Sequence, residues 1–263
     1  MLAKRRQSVI LAEVRRAGSV RVGELSLRFG VSDMTIRRDL SDLARQGLVE
    51  KVHGGALLSD AVSRIEPGFE AKTEWDPEAK DEIAQAAAAL VRPGTAIALS
   101  AGTTTHALAR HLLRVQRLTV VTNSVRVADV FEEARRPGRT GPVVVLTGGV
   151  RTPSDALVGP IAALALHDLH VDQLFMGCHG IDQDAGLTTP NLAESETNRA
   201  LMGCASQVVV LADHSKWGMV SLSSYAPLSA VDTLITDEAM PEATREAAAA
   251  TVGRLVVAAA PAR

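Results

Sequence analysis

Val31-Ser-Asp-Met-Thr-Ile-Arg-Arg-Asp-Leu40 is the stretch on which the reading of this chain turns. Ser32 offers an oxygen to a backbone N–H that a first helical turn leaves unpaired, and Gly47 supplies a stop about four turns later. Ile36, Leu40 and Leu43 recur at helical spacing and form one apolar stripe. At about 100° per residue, Met34, Arg38 and Arg45 then point the opposite way, with Thr35, Arg37 and Ser41 on the flanks. Upstream, Val22 to Phe29 reads as a second short amphipathic helix, and Gly30-Val31 as the turn of a helix-turn-helix. Farther upstream, Gln7, Ile10, Val14 and Ala17 mark one face of a first helix ending near Gly18. Downstream, Leu48 to Leu57 offers a strand, a glycine turn and a return strand: a wing that carries Lys51 and His53.

Residues 1–57 are therefore expected to form a winged helix-turn-helix that binds duplex DNA. The expected contacts are Ser32, Met34, Thr35, Arg37, Arg38, Ser41, Lys51 and His53. Arg37 and Arg38 suit phosphates or guanine edges, and Thr35 a thymine methyl or a phosphate. The distribution of charge agrees. Residues 1–59 hold 11 Lys+Arg against 6 Asp+Glu, a net of +5, whereas the remainder holds 17 against 24, a net of −7. A basic module is drawn to a polyanion by counterion release while an acidic remainder is kept off it.

Between Leu58 and Pro77 the pattern breaks up around Pro67-Gly68, and residues 58–77 read as an interdomain connection. From residue 78 to 263, apolar strand-like runs alternate with helical ones: 96–99, 118–122, 143–146, 171–176, 208–211, 233–236 and 255–258. Such alternation predicts an α/β domain, its sheet covered on both faces. In such sheets ligands bind beyond the carboxyl ends of the strands, and four of those ends carry polar and glycine residues. Ser100-Ala-Gly-Thr-Thr-Thr105 follows a strand and opens a helix, a sequence suited to a phosphate cradle or to plain capping. Asn123, in Thr122-Asn-Ser124, suits a ligand hydroxyl or the cap of the next helix. Gly148-Gly149 allows close backbone approach, and Arg151 suits an anion or solvent. Lys216, in Asp213-His-Ser-Lys216, is the best single charge partner for a ligand phosphate.

With 263 residues, 46% hydrophobic and 22% charged, the chain is expected to form about two globular domains. No apolar run approaches the ~18 to 20 residues of a membrane span, and the basic amphipathic N-terminus lacks a signal-type core, so a cytoplasmic location is expected. An aromatic content of 3% argues against a base-stacking single-strand binder. Cys178 and Cys204 form no CxxC and read as reduced core thiols. His167 and His170 lack a clear third ligand, so no metal is expected. His179, at a strand end, is a candidate to line the pocket.

Taken in order, these motifs resemble those of DeoR-type transcriptional regulators over nearly the whole chain. The likeness rests on Val31-Ser32-x-x-Thr35-Ile-Arg-Arg-Asp-Leu40 with His53-Gly-Gly-Ala56, then Gly102-Thr-Thr104, Thr122-Asn-Ser124, Gly148-Gly149, Glu194-x-Glu196 and Asp213-x-Ser-Lys216. The resemblance implies a winged helix-turn-helix followed by an effector domain similar in fold to ribose-5-phosphate isomerases, glucosamine-6-phosphate isomerases and CoA transferases. It also implies repression of sugar-catabolic genes in response to a phosphorylated sugar. Carried over, the effector pocket includes Gly102, Thr103, Thr104, Asn123, Gly148, Gly149, Glu194 and Lys216, beside Ser100, Thr105 and Arg151 from the strand ends. Ser100 departs from the aspartate that many members carry there, and Asn198 from a common basic residue. The expected partners are double-stranded operator DNA, a phosphorylated sugar and at least one further copy of the chain, since such modules normally read two-fold operators. No cofactor is expected. The alternative is a sugar-phosphate isomerase-like enzyme with a DNA-binding appendage. Ser100 occupies the position best placed for a catalytic carboxylate, leaving Asp213, Glu194 and His179 without an evident acid–base pairing.

Overall fold

The computed structural model describes residues 6, 7, 9–11, 13, 14, 19–45, 48–52, 54–58, 68–135 and 141–259. The chain divides into two compact units, Met1–Glu66 and Pro67–Arg263.

In the first unit, helical residues between 6 and 14 precede β1 (Ser19–Arg21), α1 (Val22–Phe29), α2 (Asp33–Arg45), β2 (Val49–Val52) and β3 (Gly55–Leu58). Gly30 ends α1 in the left-handed region at φ 62°, a conformation glycine adopts without cost. Ile10, Val14, Val22, Leu25, Ile36, Leu40 and Leu43 are buried, so the helical stripes meet in one core. The wing has a third strand that the sequence reading did not include: β1 pairs antiparallel with β3, giving the order β1-β3-β2. A side chain at Gly55 would lie 2.0 Å from the Val20 carbonyl oxygen, so glycine is what lets β1 pack there. Ala17, Gly18, Gly47 and His53 lie outside the described residues.

The stretch 58–77 divides differently from its sequence reading. Leu58 closes β3, and the chain from Gly68 onward folds onto the second unit through α3 (Phe69–Thr73). Phe69 is buried and meets His106 edge-on at 5.3 Å. A five-residue helix with one buried apolar side chain gives periodicity too little to register.

The second unit is built on seven parallel strands: β4 (Ala96–Leu99), β5 (Thr119–Thr122), β6 (Val143–Leu146), β9 (Gln173–Gly177), β12 (Val208–Leu211), β14 (Thr233–Asp237) and β15 (Leu255–Ala258). They coincide with the seven apolar runs within two residues at each end. Their order is β15-β14-β12-β9-β4-β5-β6. Chain order runs outward in both directions from the β4–β9 pair, which makes that seam the topological switch point. Apolar clusters cover the centre of the sheet on both faces. The β6 edge is the exception, with Val143, Val145 and Leu146 exposed.

Around the sheet lie α4 (Pro77–Ala88), α5 (Thr103–His111), α6 (Val125–Glu133), α7 (Pro160–Leu166), α8 (Leu192–Gly203) and α9 (Glu242–Ala249). Asp76 starts α4 by accepting from the Ala79 N–H, and Ser124 and Asn191 cap α6 and α8. A hairpin of β7 (Val150–Arg151) and β8 (Leu157–Val158) and a small sheet of β10 (Gly180–Asp182), β11 (Gly186–Thr189) and β13 (Ser223–Ala226) complete the unit.

Candidate functional site

On the DNA-reading helix, Met34, Arg37 and Arg38 are exposed, and Ser41 is partly so. Ser32 Oγ accepts from the Thr35 N–H at 3.3 Å and lies 3.0 Å from Thr35 Oγ1, so the cap and its neighbour hold one another at the helix start. Ser41 Oγ donates to the Arg37 carbonyl at 2.6 Å and accepts from Lys51 Nζ at 2.8 Å. Lys51 thus ties the wing to the helix and sets its ammonium on the same surface. Seven of the eight expected contacts are described, and the eighth, His53, is not.

Asp39 is the residue whose role sequence reading missed. It is 3% exposed and accepts from Arg6 Nε at 2.6 Å and Gln7 Nε2 at 3.2 Å. Arg6 is itself 7% exposed. The acidic residue within Ile36-Arg-Arg-Asp-Leu40 therefore faces inward and fastens the first helix to the reading helix.

In the second unit, a cleft opens at the carboxyl ends of β4 and β9, where the switch-point rule places ligands. One wall is Ala101 to Thr104, the start of α5. That first turn carries no acidic residue and no side-chain cap, so its backbone N–H groups and the helix dipole favour an anion. Gly177, Cys178 and His179 continue from β9, with Thr189, Glu194 and Asn198 beside them. Lys216 enters from the turn after β12. Phe69 and Lys72 enter from α3, Trp75 from the turn that follows it, and Lys80 from α4. The first three belong to a strap within the stretch that reads as linker in the sequence, where one buried apolar side chain leaves no periodic signal.

Five expected effector residues, Gly102, Thr103, Thr104, Glu194 and Lys216, converge on this cleft, as does His179. Others stand behind it. Ser100 is 2% exposed, and its Oγ accepts from the Gly177 N–H at 3.1 Å, stitching the β4–β9 seam. Thr105 Oγ1 donates to the Gly102 carbonyl at 3.0 Å. Asn123 accepts from the Ala101 N–H at 2.9 Å and donates to the Leu157 carbonyl at 3.1 Å, so it braces the cradle loop. Gly149, at φ 121°, lies where a side chain would come within 2.6 Å of the Val158 carbonyl oxygen, so the close approach at Gly148-Gly149 is to the chain itself. Arg151 pairs with Asp155 at 2.6 Å. Asp155 also binds Arg126, which reaches Glu70 at 2.7 Å and lies 5.1 Å from the Phe69 ring. Arg151 thus belongs to the network that holds the strap.

Lys216 and Lys80 act on a buried carboxylate beside the cleft. Burial pushes Asp213 up, but the Lys216 and Lys80 ammoniums and the Ser215 hydroxyl outweigh it and hold the carboxyl at about 2. Burial pushes the Cys178 thiol up to about 12 against the pull of Lys216, leaving it a neutral wall. Cys204 is buried in the core. Lys80 Nζ donates to the Lys72 carbonyl at 2.6 Å and to that of Trp75, clamping the C-terminal end of the strap. Thr189 Oγ1 donates to Glu194 Oε2 at 2.7 Å. Among the described residues, no helix is long and apolar enough to cross a membrane.

A winged helix-turn-helix joined to an α/β unit with a cleft at its switch point defines a DNA-binding transcriptional regulator with a sensor domain. The DeoR-like helix-turn-helix domain matches residues 6–62, and the DeoR C terminal sensor domain matches residues 75–238. The chain belongs to the DeoR family of transcriptional regulators. It is similar to the HTH-type transcriptional regulator GlpR of Haloferax volcanii, with 36% identity across 94% of each chain. With the lactose phosphotransferase system repressor of Streptococcus mutans it shares 32% identity over 90% of this chain and 93% of that one. Among solved structures, ribose 5-phosphate isomerase A of Methanocaldococcus jannaschii aligns over 52% of this chain and 53% of that one, at 19% identity and a TM-score of 0.37.

Proposed function

We propose that this chain represses carbohydrate-metabolism genes and that a phosphorylated sugar bound in the cleft of the second unit sets its operator affinity. The observation that carries the reading is the convergence of the first turn of α5 with Lys72 and Lys216 on one cleft. An uncapped helix start and ammonium groups together bind a phosphate dianion. Glu194, Thr189 and Asn198 supply acceptors and donors of the kind a polyol requires, and Trp75 and Phe69 supply an apolar wall. Named relatives include a repressor of a sugar phosphotransferase system. The strap offers a route for coupling, because Lys72 and Trp75 belong to the chain segment that continues directly from the DNA-binding unit. Coupling of this kind amounts to ~1 to 3 kcal/mol.

The chain acts on DNA as at least a dimer, with half-sites about one helical turn or a multiple apart. It acts without catalysis. Isomerisation needs an acid and a base on either side of the sugar carbons, and the described residues lining the cleft include one carboxylate, Glu194, already accepting from Thr189, and one imidazole, His179.

Fluorescence anisotropy with DNA from upstream of the protein's own gene and its neighbours, titrated with a panel of sugar phosphates, tests the proposal. Release or tightening by one member supports it. Specific binding untouched by the whole panel overturns the effector assignment, and turnover of a sugar phosphate by the purified protein overturns the non-catalytic reading.

A further inference from the structure

Among the described residues, the β6 edge of the large sheet is apolar and exposed. Val144 packs against the cluster that holds Val127 and Phe131, so alternation sets Val143 and Val145 on the opposite face. On that face the adjacent strand is already covered: Val121, the register partner of Val145, is 4% exposed. Cover stops at β5, leaving Val143 60% and Val145 40% exposed. Helix α7 borders the opening. Its Ala162 and Leu166 turn into the core, while Ile161 and Leu164 are 66% and 76% exposed. Gly148, just past β6, stands against Ile161, where an added methyl would touch Ile161 Cγ2 at 3.6 Å. Val150, 69% exposed, continues the surface across the hairpin.

Neither Pro142–Val150 nor Ala156–Leu166 contains a charged residue, in a chain that is 22% charged. Natural edge strands are protected from pairing by charges, prolines or bulges, and Val143–Leu146 contains no charge or proline. The exposed portions of Val143, Val145, Val150, Ile161 and Leu164 amount to on the order of 500 Å². That lies within the ~300–600 Å² range of the largest apolar patch on a monomer, which is often a functional surface. It is also most of the ~800 Å² that each partner gives to a stable interface.

We propose that this surface is the site at which a second copy of the chain docks, the same patch meeting itself about a two-fold axis. The absence of charge leaves nothing to complement an acidic or basic partner, whereas an isologous apolar contact needs only itself. The inference gives a location to the dimer invoked above and rests on that part of the functional reading.

Sedimentation velocity on the full chain, without DNA or sugar, tests it. The wild type is expected to sediment as a dimer at micromolar concentration. The exposed pairs Ile161→Asp/Leu164→Asp and Val143→Asp/Val145→Asp are expected to raise the dimer dissociation constant at least 100-fold, while Leu27→Asp, exposed on the first unit, leaves it unchanged. Circular dichroism and a thermal shift with sugar phosphates, read on the same variants, separate a lost interface from a lost fold. The variants are expected to stay folded and to keep any ligand response, since none of the substituted residues lines the cleft. A wild-type monomer, or folded variants that remain dimeric, overturns the proposal and leaves the sensing reading intact. Loss of the ligand response with the dimer intact would count against sensing alone.

Discussion

The Lys216 ammonium lies 5.8 Å from the centroid of the Trp75 ring, so a cation from the turn after β12 meets an aromatic from the strap at the rim of the cleft. A bound anion competes for that cation. Lys216→Ala is expected to leave ligand-free operator binding intact and to weaken the effector response roughly 10- to 100-fold, equivalent to losing one charged hydrogen bond of about 1.5–3 kcal/mol. Anisotropy titration with and without effector checks this, and an unchanged response removes Lys216 from the site.

Ser100 makes the opposite prediction. Because its hydroxyl accepts from the partly buried Gly177 N–H in the sheet seam, Ser100→Ala loses one hydrogen bond and should cost the second unit about 0.5–1.5 kcal/mol. Effector affinity should change little. A variant of native thermal stability with much weaker ligand binding would return Ser100 to the pocket.

Asp39 should matter to folding more than to base reading. Removing one partner of a buried ion pair leaves the other charged and unsatisfied, and Asp39→Ala is expected to destabilise the DNA-binding unit by about 3–5 kcal/mol. Replacing both partners by apolar residues, as in Arg6→Met/Asp39→Leu, should recover much of the loss. Denaturant unfolding of the two variants separates these outcomes, and equal stability of Asp39→Ala and wild type would show the pair to be idle.

How much of this was legible in the chain follows from the reach of periodicity. The stripe Ile36, Leu40, Leu43 and the seven apolar strands announce themselves through neighbours a few residues away. Asp39 does not, because its partner Arg6 is 33 residues distant and a carboxylate in a helix reads as surface until that partner is in place. Thr189 comes from β11, a short strand with one large apolar residue, Leu187, too few to alternate. Ser100 and Asn123 stand out in the sequence as polar residues at strand ends, but their hydrogen bonds go to the chain and brace the cleft from behind.

His214 links the same turn to pH. Its Nδ1 lies 2.7 Å from Asp237 Oδ2, and that hydrogen bond, opposed by burial and aided by the charges of Asp237, Asp213 and Asp76, raises the imidazole above its ordinary value. A raised folded pKa means that the contribution is fully present below the unfolded value near 6.5 and is lost as pH rises through the folded value. The stability difference between wild type and His214→Asn should therefore be larger at pH 5.5 than at pH 9. Thermal melts at the two pH values check the sign, and a difference that grows with pH would contradict it.

Arg37 and Arg38 are adjacent on the reading helix, and rotation by about 100° per residue gives them different work. Arg38 opposes the buried stripe and Arg37 lies on the flank beside Ser41 and Lys51, and we propose that Arg38 reads a base while Arg37 meets a phosphate. Arg38→Ala is expected to cost about 1–3 kcal/mol on the operator and to relax discrimination at one base pair. Arg37→Ala should weaken binding to all sequences alike and reduce the salt dependence of the logarithm of affinity by about one contact. Competition titrations over single-base operator variants at two salt concentrations resolve the pair. A uniform loss for Arg38→Ala, with a reduced salt slope, would make it the phosphate contact and move base reading to Met34 and Thr35, nearer the helix start.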